Sequence, residues 1–199
     1  MAGERKVLET LDIYKGSTRE PLSFIVGDGN NGLELSAYTV EILMLSNEGT
    51  EAAPEYNATP TIAQTSTNVT VQPEVAFTVD ATNNWILCPA HGVTNGWKVR
   101  FVGGSLPSGL NTTDNFFARD IYADRFKVAT YEGGDAVDIG SGNGDLYIVG
   151  HVQYAWQTAD VDTAGLFAVW FVIDDGTDVE REPSDEFGIV VSINETTNA

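Results

Sequence analysis

Two residues of the chain, Cys88 and His91, have the types and the spacing that could support nucleophilic chemistry. A thiolate activated by a neighbouring imidazole is a common covalent catalyst, and a third group normally orients the imidazole. The run Trp85–Cys88 is typical of a strand and a turn follows it, so a spacing of three residues does not by itself bring the two side chains together. No third group is evident, so we interpret Cys88 as a small buried hydrophobe and predict no catalytic residues.

The acidic residues could also do chemistry, because glycoside hydrolysis needs only two carboxyl groups at a defined separation. The chain has 29 Asp and Glu against 10 Lys and Arg, which gives a formal charge of −19. The sequence leaves a hydrolase open, but we expect most of these acids on a solvated surface that keeps an assembly component soluble. The same charge would repel phosphate backbones and anionic lipid, so we predict no nucleic-acid and no membrane partner.

The sequence predicts no metal and no cofactor. It contains no CxxC or His-rich spacing, and Cys88 is its one cysteine. The Gly-rich run Ile139–Asp145 has no Lys and no helix predicted after it, so it lacks the pattern of a phosphate-binding loop.

Two acidic turns are typical of β-hairpins, at Asp28–Gly32 and Asp174–Asp178. A helix-loop-helix calcium loop would need a ligand at its fifth position and Glu at its twelfth. Counted from Asp28, these positions hold Gly32 and Thr39. That motif is excluded, and whether such turns take up Ca²⁺ is left open.

The four Trp residues lie in strand-like runs, where a large aromatic side chain usually packs in a core. Trp97 follows Asn95 and Gly96 near a turn. Among the four it is the best candidate for an exposed residue that binds a sugar, but a core position is the favoured interpretation for Trp97 as well.

The whole chain is predicted to be all-β, because short runs that alternate apolar and polar residues are interrupted by Gly, Asn and Asp. The first and last parts contain seven such runs, which suggest an immunoglobulin-like β-sandwich. These seven runs are Thr10–Tyr14, Pro21–Val26, Tyr38–Ser46, His151–Gln157, Gly165–Ile173, Val179–Glu182 and Phe187–Ile193. We therefore predict a discontinuous sandwich formed by residues 1–50 and 151–199, interrupted by a small inserted β domain over residues 51–150.

The predicted insert opens with a linker-like stretch, Glu51–Pro60, and continues with Thr- and Asn-rich sequence. Six further strand-like runs follow, separated by Gly-rich loops. They are Val75–Val79, Trp85–Cys88, Trp97–Phe101, Phe116–Ile121, Arg125–Ala129 and Leu146–Val149.

The first residues lack the apolar core of a secretion signal, and no apolar run approaches the roughly 20 residues of a membrane helix. We therefore expect a product that is made in a cytoplasm.

The first and last parts of the chain resemble the immunoglobulin-like N-terminal domain of phage upper baseplate proteins. The resemblance is carried by six segments, which are Tyr14–Ser17, Leu22–Phe24, Leu35–Val40, Val152–Trp156, Asp160–Phe171 and Glu182–Asp185. The middle part is similar to small β modules of phage fibre and other virion proteins, in the segments Ala90–Phe101, Leu106–Leu110, Asp124–Ala129 and Val137–Asp138.

These resemblances imply a non-enzymatic structural component of a tailed-phage particle. It would be a capsid decoration or a tail or baseplate accessory, made in the host cytoplasm and located in the virion. Its partners would be other capsid or tail proteins, and we expect a homo-oligomer, as is usual on a symmetric particle. The alternative is a glycan- or receptor-binding module of a phage fibre, in which Trp97 would be a possible exposed binding residue.

Overall fold

The computed structural model describes residues 11–16, 21–28, 31–49, 60, 68–182 and 189–194. Regular structure in this part of the chain is strand, apart from the short 3-10 helix η1 (Thr158–Val161), so the predicted all-β class is confirmed. In chain order the strands are β1 (Leu11–Tyr14), β2 (Leu22–Ile25), β3 (Gly27–Asp28), β4 (Asn31–Gly32), β5 (Thr39–Asn47), β6 (Val69–Val71), β7 (Val75–Asp80), β8 (Trp85–Leu87), β9 (Lys98–Ser105), β10 (Phe116–Arg119), β11 (Arg125–Ala129), β12 (Asn143–Ile148), β13 (His151–Tyr154), β14 (Gly165–Asp174), β15 (Val179–Glu182) and β16 (Ile189–Asn194).

The chain divides into two compact units. The outer unit is formed by Met1–Ser23, Ala37–Thr70 and Gln153–Ala199, and the barrel unit by Phe24–Ser36 and Val71–Val152. The segment Phe24–Ser36, which the sequence-based division places with residues 1–50, belongs to the barrel unit in this division. Separately, β2, β13 and β6 form a three-stranded sheet with β13 in the middle.

The outer unit is built around β14, a strand that is buried on both faces from Phe167 to Ile173. A continuous apolar run of this kind is typical of a central strand. On one side β14 pairs antiparallel with β5 along nine residues. On the other side its first half pairs with β16 and its second half with β15, and β1 joins β16 in parallel. An immunoglobulin-like arrangement of these strands stays a prediction.

Strands β7 to β12 of the barrel unit close into a six-stranded barrel with the neighbour order β10-β11-β8-β7-β12-β9. Every pairing in it is antiparallel. Side chains alternate between interior and exterior, and the interior contains the aromatic contacts Phe77–Phe101 and Phe101–Phe116, with ring centroids 5.2 and 5.4 Å apart. Closure leaves no free edge among these strands, since each has two neighbours.

Two strands of the barrel run through residues that the sequence analysis assigned to Gly-rich loops. β9 continues through Gly103 and Gly104 to Ser105, and β12 begins at Asn143, inside the loop predicted over Ile139–Asp145. Gly103 and Gly104 have φ of 61° and 65°, and the register between β12 and β9 shifts between Asn143 and Asp145. The loop prediction is wrong at these positions because the glycines form a β-bulge within a continuing strand pair.

The predicted acidic hairpin turn at Asp174–Asp178 is confirmed, and β3 and β4 pair on either side of the other predicted turn, whose residues 29 and 30 lie outside the described residues. β3 and β4 pair through Asp28 and Asn31, and β14 and β15 pair through Asp174 and Val179. In the second turn Asp175 accepts hydrogen bonds from the backbone N–H groups of Thr177 and Asp178. These backbone hydrogen bonds lower the pKa of Asp175, so this turn is held by an ionised carboxylate. The predicted linker Glu51–Pro60, apart from Pro60, lies outside the described residues, as do residues 187 and 188 of the last predicted strand.

Candidate functional site

Cys88 and His91 are both buried in the barrel unit, with 0% and 7% of their surfaces exposed. The Sγ atom of Cys88 is 3.5 Å from the carbonyl oxygen of Ala76, to which it donates. The Nδ1 atom of His91 accepts the backbone N–H of Val93 at 2.9 Å, so its Nε2 carries a proton and donates to the Tyr122 carbonyl at 2.8 Å. Both ring nitrogens are therefore occupied by the backbone, and the imidazole is not placed as a base for the thiol.

The burial of Cys88 gives a direct prediction about its reactivity. Desolvation raises the pKa of the thiol, and only the thiolate attacks a disulfide reagent. In the native chain Cys88 should react with dithiobis(nitrobenzoate) roughly a hundredfold or more slowly than in the unfolded chain, because reaction requires local opening. Absorbance at the thionitrobenzoate wavelength, with guanidinium-unfolded chain as the control, measures this ratio. Equal rates in the two states would contradict the burial of the thiol.

Trp97, the best candidate among the four Trp for an exposed binding residue, is half-buried and packs against the barrel core. Its backbone carbonyl accepts the N–H of Ala118 at 2.9 Å, and its N–H donates to Thr94 at 3.1 Å. Whether the exposed part of its ring binds a ligand stays a prediction.

The outward face of the barrel carries a group of cations that sequence reasoning missed. Strands β8, β9, β10 and β11 are consecutive neighbours in the barrel, and none of them contains Asp or Glu. Their outward positions hold every Lys and Arg of residues 51–150. We call these five side chains the cationic belt: Lys98, Arg100, Arg119, Arg125 and Lys127.

Aromatic rings lie directly beneath several belt cations. The Arg125 guanidinium is 5.2 Å from the Trp85 ring and 5.0 Å from the Tyr122 ring, and the Lys127 ammonium is 4.5 Å from the Trp85 ring. Trp85 and Tyr122 themselves meet edge to face at 5.4 Å, and 53% of Tyr122 is exposed. Each such cation–π contact is worth about 0.5–1 kcal/mol at an exposed site, so the rings hold the cations in place on the surface.

A cleft of about 400 Å³ opens beside the belt, which is within the size range of small-ligand sites. Its walls include the aromatic ring of Phe117 and the polar side chains of Asn95, Arg119, Asp120 and Glu132. Arg119 is fixed from two sides, because it donates to the carbonyl of Gly134 and to the carboxylate of Asp120. The cleft therefore combines an apolar residue with oriented polar groups, a combination that is found in small-ligand sites.

A second polar cluster lies around Glu34, on the segment Phe24–Ser36 of the barrel unit. Its carboxylate accepts hydrogen bonds from Arg100 at 2.9 Å, from Tyr147 at 3.0 Å and from Gln72 at 3.0 Å. Gln72 in turn accepts the backbone N–H of Leu35 at 3.0 Å. Burial acts to raise the pKa of Glu34, but the three hydrogen bonds outweigh it and lower this pKa below its ordinary value of 4.5. The cluster thus anchors the segment to strands β9 and β12.

Replacing Glu34 by glutamine should lower the free energy of unfolding by about 1–2 kcal/mol, because hydrogen bonds to a charged group are lost. The folded state lowers the pKa of Glu34, so its contribution is present above pH 4.5 and disappears as the pH falls through the lowered value. Urea unfolding of wild type and Glu34→Gln at a series of pH values above and below 4.5 measures the difference in their free energies of unfolding. Replacement of the exposed Glu74 by glutamine is the control. A gap that persists unchanged into strong acid would contradict the role of the charge.

Within the described ranges the chain shows neither a metal-binding cluster nor a membrane-spanning helix. No three His, Cys, Asp or Glu side chains there lie close enough together to hold a metal ion. Nor does the described part of the chain contain a helix long and apolar enough to cross a membrane.

Comparison of the chain with models of protein families, with curated proteins and with solved structures finds no significant match. The possible roles of the cationic belt, the adjacent cleft and the edge strands of the outer unit's sheet therefore follow from their residues alone and not from a known relative. The belt could have been anticipated, because Lys98 and Arg100, and again Arg125 and Lys127, are two residues apart in strand-like runs. Their assembly on neighbouring strands depends on the barrel order, which the sequence does not give.

Proposed function

We propose that this protein is a non-enzymatic structural component of a tailed-phage particle, a capsid decoration or a tail or baseplate accessory that docks on symmetric virion proteins. The observation that carries the proposal is the antiparallel pairing of β5 with β14 along nine residues. These strands contain parts of the two separated blocks that resemble the phage baseplate domain. Their pairing supports a common sheet as the basis of that resemblance.

The protein would act by binding neighbouring virion proteins through complementary surfaces and strand edges, without catalysing a reaction. In the outer unit's sheet, β15 lies at one end of the strand order, and its four residues are exposed or half-exposed. A strand in this position offers unpaired backbone groups, which a neighbouring protein can use for strand addition. The barrel has no free edge, so it would act through its outward side chains.

The charge of the chain supports a position away from the packaged genome. A formal charge of −19 would be repelled by nucleic-acid phosphates at short range. The outer capsid surface or the tail is therefore the proposed location. Neighbouring copies on such a surface are related by symmetry, and a homo-oligomer is the assembly that the proposal implies.

Quantitative peptide mass spectrometry on density-gradient-purified particles tests this proposal. The account expects the chain in a fixed ratio to the major capsid or tail-tube protein, unchanged by a high-salt wash that removes adsorbed host proteins. A chain that is abundant in the infected-cell lysate but absent from purified particles would refute the virion assignment.

A glycan- or receptor-binding role is the second candidate, and a specific feature favours it. The exposed Tyr122 beside Trp85, together with the cleft lined by Phe117, Arg119 and Asp120, gives aromatic surfaces next to polar side chains. Such a combination offers a ring for the apolar face of a sugar and hydrogen-bonding groups for its hydroxyls. If this role is the relevant one, the isolated chain should bind host cells and inhibit adsorption of the phage, whereas a purely structural component should do neither.

A further inference from the structure

The cationic belt differs from the rest of this acidic protein. Two of its members, Lys98 and Lys127, lie over aromatic rings, Lys98 at 5.8 Å from Phe117 and Lys127 at 4.5 Å from Trp85. Among the described residues no carboxylate lies within ion-pair distance of either ammonium group. The belt is thus a surface on which cations and apolar rings are presented together.

A surface of complementary character occurs on the outer unit, at the hairpin of β14 and β15. Five carboxylates lie within nine residues there, those of Asp174, Asp175, Asp178, Glu180 and Glu182. Val179 stands among them with 62% of its surface exposed, on a strand that ends the sheet. We call this segment, residues 174–182, the acidic hairpin.

We propose that the cationic belt of one copy of the protein binds the acidic hairpin of a second copy. This inference rests on the proposed function, for which it names the surfaces joining neighbouring copies. Carboxylates of the hairpin would pair with Lys98 and Lys127, and Val179 would lie against the belt's aromatic rings. Because the two surfaces differ, the contact is head to tail, and repetition would produce rings or open chains rather than a closed two-fold dimer.

The salt concentration determines whether the contact between two copies should form. At about 0.01 M salt the Debye length is about 30 Å, so the net charges of two copies repel each other across the whole contact. At about 0.15 M it is about 8 Å, which screens the distant charges while leaving adjacent ion pairs in place. At about 1 M the adjacent pairs are weakened as well. Association should therefore be strongest at the intermediate salt concentration.

Charge reversal followed by charge exchange is the decisive experiment, with the full chain studied by sedimentation velocity at about 0.15 M salt. Lys98→Glu/Lys127→Glu reverses the charge of the two belt ammonium groups, and Asp178→Lys/Glu180→Lys reverses two exposed carboxylates of the hairpin while leaving Asp175, which holds the turn, in place. Each double variant alone should self-associate about tenfold or more weakly than wild type, since like charges then face each other. Mixing the two double variants, or combining all four changes in one chain, should restore association because opposite charges meet again.

The matched control for the hairpin variant is Asp135→Lys/Asp138→Lys. It makes the same change in net charge as the hairpin variant, but at exposed positions outside the hairpin, and it should retain association. Intrinsic tryptophan fluorescence confirms that each variant is folded. A wild-type chain that stays monomeric up to about 1 mM would overturn the inference, as would a failure of the charge exchange to restore association.

Binding of dextran sulfate by a monomeric wild type, lost in Lys98→Glu/Lys127→Glu, would also overturn it, in favour of a polyanionic glycan as the belt's partner. Failure of the belt contact can be distinguished from failure of the proposed virion role. A chain that is present in particles but monomeric in solution refutes only the belt contact, whereas a chain that associates but is absent from particles refutes only the virion role.

Discussion

Replacing Phe116 by alanine is expected to lower the free energy of unfolding of the barrel by about 3–5 kcal/mol, the usual cost of removing a buried phenyl ring. Phe116 has 2% of its surface exposed and packs edge to face against Phe101, which in turn contacts Phe77. The closed barrel surrounds this site with paired strands, so the backbone has little freedom to collapse into the cavity.

The adjacent residue supplies the matched control. Phe117 points outward on the same strand and is half-buried, so Phe117→Ala removes an identical ring and should cost about 1 kcal/mol or less. Hydrogen exchange of peptides from β9, β10 and β11 measures the two effects locally, and 4 kcal/mol corresponds to about a thousandfold loss of protection. Equal losses for the two variants would contradict the assignment of the barrel interior.

Replacing Gly104 by alanine is expected to cost about 2–4 kcal/mol, from two sources that act together. Gly104 has φ of 65°, a conformation that is strained for a residue with a side chain. A methyl group there would also lie 2.6 Å from the carbonyl oxygen of Asn143, on the neighbouring strand. Because the obstructing atoms belong to the backbone, β9 and β12 would have to move apart.

Gly103→Ala separates the two sources. Gly103 has nearly the same φ, 61°, but its added methyl group would meet only the Asp145 carboxylate, at 3.3 Å. It should therefore cost about 1 kcal/mol, the conformational part alone. Urea unfolding of both variants gives the comparison. If Gly104→Ala were as mild as Gly103→Ala, the bulge that joins β9 and β12 would be placed wrongly.

Residue alternation predicted the strands well but not their partners. The runs Val75–Val79 and Arg125–Ala129 became β7 and β11 with nearly the predicted bounds, because each alternates between the barrel interior and the exterior. The Gly-rich boundaries of β9 and β12 were missed, since the sequence does not distinguish a glycine in a loop from a glycine in a bulge. Their pairing decides this, and pairing is a property of the whole barrel.

The candidate sites depended even more on long-range pairing. Glu34 is 66 residues from Arg100 and 113 from Tyr147 in the chain, and no local pattern connects them. The pair of Cys88 and His91, by contrast, is close in sequence, yet each side chain bonds to the backbone around it. Spacing along the chain was thus a poor guide to side-chain contacts. The absence of Asp and Glu from β8 to β11 is visible in the sequence, but it indicates a cationic surface only once the strand order is known.

The proposed contact between the belt and the acidic hairpin would allow a strongly acidic chain to assemble with itself. Net repulsion alone would keep copies apart, and that helps solubility before assembly. A local cationic surface with aromatic support provides a contact that a symmetric particle could fix in place. In the particle, neighbouring copies would then lie head to tail.

Immunogold electron microscopy on intact purified particles, with an antibody shown to bind the native chain, tests the virion assignment most directly. The account predicts label at a regular position on the particle, over the head for a capsid decoration or confined to the tail or its tip for a tail or baseplate accessory. Particles without label, under conditions where the same antibody labels the purified chain, would contradict the assignment of this protein to the exposed surface of the virion.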